Sequence, residues 1–179
     1  MGINLHRKVL KIMHTLKIWI SLVCCVFLPL SLWGNLQQDI SPEKRLAEFS
    51  HEKLLMLDGY DVVSYHQESG PLKGSPDFET EYKGIHYRFL NTANKDLFLE
   101  APEKYEPLYG GWCAYAMLDG TKTEVDPKTY KIVDGKLLVF YNGLWGNTLK
   151  GWDKKLNTNT SDQSLIEQAD AHWMKILSE

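Results

Sequence analysis

Cys113 and Met117 stand four residues apart in Tyr109-Gly110-Gly111-Trp112-Cys113-Ala114-Tyr115-Ala116-Met117. If residues 111–118 are helical, both sulfurs lie on one face, one turn apart. A thiolate and a thioether are soft ligands, which suit Cu(I) better than Mg, Ca or Mn. Zinc wants more cysteine, histidine or carboxylate donors, usually four in all. His51, His66, His86 and His172 are the remaining nitrogen donors outside the N-terminal segment. His66 and His86 precede the cysteine segment and are the expected third ligands. The pattern points to Cu(I) as cofactor, held by Cys113, Met117, His66 and His86. Gly110-Gly111 predicts a turn of positive φ ahead of the helix. Backbone N–H groups at that helix start would favour the thiolate.

The competing reading puts both sulfurs in the core, because a free cysteine behaves as a small hydrophobe. The aromatics Tyr60, Tyr65, Tyr109, Trp112, Tyr115 and Trp152 then build that core. A few of them could line a pocket for a small ligand or a partner peptide. A thiol-dependent enzyme is the last alternative. It needs a histidine base and often an orienting group beside the cysteine. The sequence has no Cys-x-x-Cys, Gly-rich phosphate loop, zincin helix or nucleophile elbow, so an enzyme is the weakest reading.

Cys113 is alone because Cys24 and Cys25 fall in an N-terminal export segment. Arg7, Lys8, Lys11 and Lys17 form a basic lead-in, and Ile18 to Trp33 is almost wholly apolar. That is the plan of a secretory signal, and the run is short for a membrane span of about 20 residues. Gly34 suits the last removed position but Leu32 does not, so an anchor formed by residues 18–33 is the alternative. A lipoprotein site at Cys24 or Cys25 is disfavoured, because too little apolar sequence precedes it. The expected location is periplasmic or secreted, with membrane contact only if the N-terminal segment is retained. Removing four cations and no anions takes the formal charge of −3 to about −7. A mildly acidic domain is a poor nucleic-acid binder. An exported domain without an internal disulfide must be held by its core.

The elements that would position these residues are short. The organisation expected is a signal or anchor at 1–34, a linker at 35–52 and one domain at 53–179. Ser41-Pro42 opens a short helix with Leu46 and Phe49 on its apolar face. Residues 53–57 form a short strand and Asp58-Gly59 a turn. Residues 60–66 are extended or a structured turn, and Gln67 to Asp77 is a loop. Phe78 to Leu90 is a hairpin with Ile85, Tyr87 and Phe89 on one side and His86 and Arg88 on the other. Asn91 or Thr92 caps a helix to about Glu100 with Ala93, Leu97 and Phe98 inward. Pro102 restarts a turn. Tyr130 to Tyr141 is a hairpin about Asp134-Gly135. Leu144 to Leu156 is helical and carries Trp145, Leu149 and Trp152. Asp162 caps a last helix with Leu165, Ile166, Ala169, Trp173 and Ile176 at helical spacing. Asn159-Thr160-Ser161 matches a glycosylation sequon.

Several segments resemble the exported YHS-domain proteins of bacteria. They are Asp58-Gly59-Tyr60-Asp61-Val62-Val63-Ser64-Tyr65, Lys73 to Phe78, Tyr87-Arg88-Phe89, Phe98-Leu99 with Pro102-Glu103-Lys104-Tyr105, Tyr109 to Ala116, and Val133 to Leu137. The resemblance covers about Asp58 to Trp173. It implies an α+β fold, a small single domain with antiparallel β-hairpins packed against short helices and a C-terminal helix. It also implies kinship with metal-binding modules of copper-transporting ATPases, and hence a metal donor or acceptor protein as partner. Those modules use several cysteines, and only Cys113 matches one here. Val62 stands where the family has proline.

Overall fold

The computed structural model describes residues 40–179 except Asn159. The expected signal or anchor at 1–34 and the asparagine of the sequon lie outside the described residues. The described residues belong to one compact unit. Its buried core is drawn wholly from Phe49 to Trp173. With its own core and capped helices, this unit meets the requirements of a domain that folds by itself. The fold is α+β: short hairpins, short helices and a long C-terminal helix.

Helix α1 (Pro42–Glu48) starts where expected. Ser41 Oγ accepts the Lys44 N–H at 3.2 Å and Pro42 occupies the first turn. Its inward residue is Arg45, which is buried, whereas Leu46 is exposed. Residues 42–52, read from sequence as linker, thus carry a docked helix and a first strand.

Strands β1 (His51–Glu52) and β2 (Leu55–Met56) form a minimal hairpin through Lys53 and Leu54, both at positive φ. Strands β3 (Ser75–Tyr82) and β4 (Ile85–Phe89) form the hairpin predicted for residues 78–90. The sheet order is β1-β2-β4-β3, antiparallel except for the parallel β2–β4 pairing at Leu55 and His86. Ile85, Tyr87 and Phe89 are buried, and His86 and Arg88 face the other way. This is the period-2 alternation of a half-buried strand.

Helix α2 (Thr92–Glu100) is capped by Asn91, whose Oδ1 accepts the Asn94 N–H at 2.9 Å. Phe98 is buried, but Ala93 and Leu97 are exposed and Asn94 is the other inward residue. Helix α3 (Pro102–Tyr105) adds one turn. Helix α4 (Ala114–Met117) follows the Tyr109-Gly110-Gly111 turn. Strands β5 (Asp126–Val133) and β6 (Lys136–Phe140) pair across Asp134-Gly135. Four consecutive residues of β6, Leu137 to Phe140, are buried.

Residues 144–147, expected as the start of a helix, instead belong to a two-residue-per-strand hairpin, β7 (Asn142–Gly143) and β8 (Gly146–Asn147). Helix α5 (Thr148–Leu156) begins only afterwards, because Asn147 Oδ1 accepts the N–H groups of Leu149 and Lys150. The final helix α6 (Asp162–Ser178) buries Leu165, Ile166, Ala169 and Trp173. Its cap is Ser161 rather than Asp162. Asp162 accepts from Trp152 Nε1 at 2.6 Å and Lys131 Nζ at 2.8 Å. Among the described residues no helix is long and apolar enough to cross a membrane.

Candidate functional site

Cys113 is the cap residue of α4, with ψ of 116°, so the expected helix over 111–118 shortens to four residues. The reason lies just before it. Tyr109, Gly110 and Gly111 all take left-handed φ, and helix cannot propagate through them. The Met117 N–H donates to the Cys113 carbonyl at 3.0 Å, closing the turn. Both side chains are fully buried.

The Cys113 sulfur accepts the Tyr141 N–H at 3.4 Å and shares a 3.3 Å hydrogen bond with the Thr148 hydroxyl. Thr148 in turn donates through Oγ1 and through its backbone N–H to the Tyr141 carbonyl, at 3.0 and 2.9 Å. Cys113 therefore ties together the two residues that flank the β7–β8 hairpin. A hydroxyl and a backbone N–H are not the soft donors that Cu(I) takes.

His66 lies on a 3-10 turn and packs edge-on against Tyr105, with ring centroids 5.3 Å apart. Its Nε2 is buried without a hydrogen bond among the described residues. Burial, and to a smaller extent the Lys104 ammonium, hold its imidazole below its ordinary value. His86 lies on β4 and bonds through Nδ1 to Glu79 Oε1 at 2.8 Å; Arg88 Nε donates to the other oxygen at 2.7 Å. The charge-assisted bond from Arg88 is the largest effect on the Glu79 carboxyl; burial opposes it, and with the smaller contribution of His86 the carboxyl is held below its ordinary value. So the contacts of His66 and His86 are with Tyr105 and Glu79, and those of Cys113 with Tyr141 and Thr148. Among the described residues no three or more His, Cys, Asp or Glu side chains converge where they could hold a metal ion. Neither His66 nor His86 is among the hydrogen-bonding partners of the Cys113 sulfur, which are an amide and a hydroxyl.

The lowered imidazole pKa has a consequence for stability. A base whose native pKa is depressed binds its proton more readily when unfolded. Its stabilising contribution is full above the unfolded value near 6.5 and is lost as pH falls towards the native value. Urea midpoints are expected to fall between about pH 7 and pH 5, and His66→Gln should flatten part of that slope. An unchanged slope would mean that His66 is not buried as a neutral ring.

A cleft of about 350 Å³ opens beside Trp112. Phe49, Leu55, Leu57, Val125 and Pro127 supply its apolar wall, and Glu52, Asp58 and Glu124 are carboxylates in its lining. The volume lies within the range of small-ligand sites. Trp112 is half-buried and its Nε1 donates to the Glu48 carbonyl at 2.5 Å, which fixes the ring. Lys122 lies 6.0 Å from the Trp112 ring centroid, and its ammonium is paired with the Glu48 carboxylate. His51, also in the lining, is committed to the backbone. Its Nδ1 accepts the Leu54 N–H at 3.3 Å and its Nε2 donates to the Leu46 carbonyl at 3.1 Å. That arrangement leaves no lone pair for a general base.

Sequence reasoning singled out Trp112 as a possible pocket residue but not the others. The lining comes from residues 49–58 and 124–127, whose short irregular segments carry no periodic signal. Asp61, inside the resembling Asp58–Tyr65 segment, is likewise a framework residue. Its buried carboxylate accepts the N–H groups of Val63 and Leu90, each at 2.9 Å, and the Asn94 amide at 2.6 Å. No protein-family model, no curated protein and no solved structure matches the chain.

Proposed function

We propose that the chain is a non-catalytic exported binding module of the YHS type, in which Cys113 is a structural core residue. Its ligand is a small molecule, or a partner's side chain, with a cationic group on an apolar body. The cleft beside Trp112 carries this reading. Leu55, Val125 and the Trp112 ring, all half-buried in the lining, accept the body, and the carboxylates of Glu52, Asp58 and Glu124 attract an ammonium, although Glu52 is also 3.9 Å from the exposed Lys53. The YHS assignment rests on the sequence resemblance over about Asp58 to Trp173. In the structure Asp61, Tyr87, Phe98, Tyr109 and Cys113, which fall in the resembling segments, are framework residues buried in the fold. A catalytic reading has less behind it, since the sulfur bonds to a hydroxyl and an amide and no histidine is among its hydrogen-bond partners within the described residues.

The test is a titration with phenethylamine and butylamine beside their neutral alcohol analogues, read by tryptophan emission. Amines are expected to bind and alcohols to bind at least about tenfold more weakly, with Trp112→Ala removing the signal and Glu124→Gln weakening it. Equal response to amines and alcohols would overturn the ligand class. Anaerobic Cu(I) titration tests the role of Cys113. Stoichiometric binding abolished by Cys113→Ser would replace this reading with a metal centre.

A further inference from the structure

Leu144 and Trp145 form the tip of the β7–β8 hairpin and are 99% and 92% exposed. Among the other large apolar side chains described, the most exposed is Leu99, at 48%. The tip is built, not frayed. The Trp145 N–H donates to the Tyr141 hydroxyl at 3.1 Å. A Cβ at Gly143 would stand 2.6 Å from that same hydroxyl, so the ring closes directly over the glycine and a larger residue there would displace it. The hairpin root is tied by Thr148 and by the Cys113 sulfur beneath it. A rigid support holding two apolar side chains in water indicates that something covers them.

The shape and the neighbouring charge identify the cover. We infer that the Leu144–Trp145 tip is a membrane wedge that enters the headgroup region of an anionic bilayer. A protein partner would need a broad surface, near 800 Å² on each side of a stable interface. One aromatic offers roughly 150–250 Å², and the residues flanking the tip are Gly143, Gly146 and two asparagines. A soft, laterally continuous medium accepts such a convex point without a matching pocket, and tryptophan partitions to the membrane interface. Helix α5, which leaves the hairpin directly, exposes Lys150, Lys154 and Lys155. Its single carboxylate, Asp153, is paired with Lys131 at 3.4 Å. This is a local cationic patch on an otherwise acidic domain, complementary to anionic headgroups. The inference is independent of the ligand assigned to the Trp112 cleft.

The experiment uses residues 38–179, co-sedimented with vesicles of phosphatidylcholine alone or of phosphatidylcholine with phosphatidylglycerol. Binding is expected to the anionic vesicles and to weaken with salt. The double variant Leu144→Ser, Trp145→Ser should lower the partition coefficient about tenfold or more. The triple variant Lys150→Gln, Lys154→Gln, Lys155→Gln should lower it too and remove most of the salt dependence. Near-UV circular dichroism verifies that each variant is folded, as expected for exposed positions. Wild type that stays in the supernatant, or a tip variant that binds as well as wild type, overturns the inference. So does a dimer without vesicles that Trp145→Ser dissociates, since a second copy of the chain would then be the cover.

Discussion

Arg45→Met is expected to destabilise the protein by about 3–5 kcal/mol, the range for removing one member of a buried ion pair. Both members of this pair are out of water: the Arg45 and Glu106 side chains are 0% and 2% exposed. Arg45 Nη1 donates to Glu106 Oε2 at 3.2 Å, and Nη2 donates to Glu106 Oε1 and to the Tyr87 hydroxyl, the latter at 3.1 Å. Tyr87 donates its proton to the same Oε1. Burial first, and the Glu106 carboxylate beside it, push the Tyr87 phenol well above its ordinary value, so it remains a donor. The guanidinium also lies 4.2 Å from the Phe49 ring centroid. Without Arg45, the Glu106 anion keeps one hydrogen bond and no countercharge in a low-dielectric site. Arg45→Met with Glu106→Leu removes both charges, and it should recover most of the loss, because the pair's attraction roughly offsets its own desolvation. Urea unfolding by linear extrapolation measures all three variants. A single variant that costs less than about 1 kcal/mol would show that water reaches the carboxylate.

The same network shows where sequence reasoning reached its limit. Signals confined to a few residues were readable: the Ser41 and Asn91 caps, the Asp134-Gly135 turn and the alternation in Ile85–Phe89 all sit where expected. Their physics is local, since a cap or a two-residue turn needs only its neighbours. Arg45 was not readable, because a lone arginine in Pro42–Glu48 suits a solvated helix face. It is inward only because Tyr87 and Glu106, 42 and 61 residues later, wait for it. Trp145 was placed on a helix by the spacing of Trp145, Leu149 and Trp152. The cap at Asn147 and the two-residue turn before it displace that helix by several residues. The cleft was beyond reach for the same reason as Arg45. Phe49, Asp58, Trp112 and Glu124 are brought together by tertiary packing alone. The sulfur pair was found in sequence, but its partners were not. Tyr141 and Thr148 lie 28 and 35 residues away and contribute an amide and a hydroxyl that no spacing rule marks.

Gly110→Ala is expected to cost about 2–5 kcal/mol, far more than its one methyl group suggests. Two effects add. Gly110 has φ of +59°, and left-handed backbone costs an L-residue about 1–2 kcal/mol. The new Cβ would also stand 2.6 Å from Phe49 Cγ and 3.0 Å from Phe49 Cα, and overpacking a core costs about 1–3 kcal/mol. Phe49 cannot yield easily. Its ring packs against Trp173 at a centroid separation of 5.7 Å and lies under the Arg45 guanidinium, and the next residue's N–H donates to the Gly110 carbonyl at 2.8 Å. Gly135→Ala separates the two effects. Gly135 is also left-handed, at +76°, but nothing lies within 4 Å of its Cβ position, so only the backbone term applies. The difference between the two variants in urea unfolding is therefore the cost of the collision with Phe49. Phe49 also forms part of the wall of the Trp112 cleft. Gly110→Ala should accordingly weaken amine binding as well as stability, while Gly135→Ala leaves binding unchanged. If the two variants lose equal stability, Phe49 is not locked where the structure places it. The glycine pair before Cys113 would then serve the turn alone, without shaping the cleft.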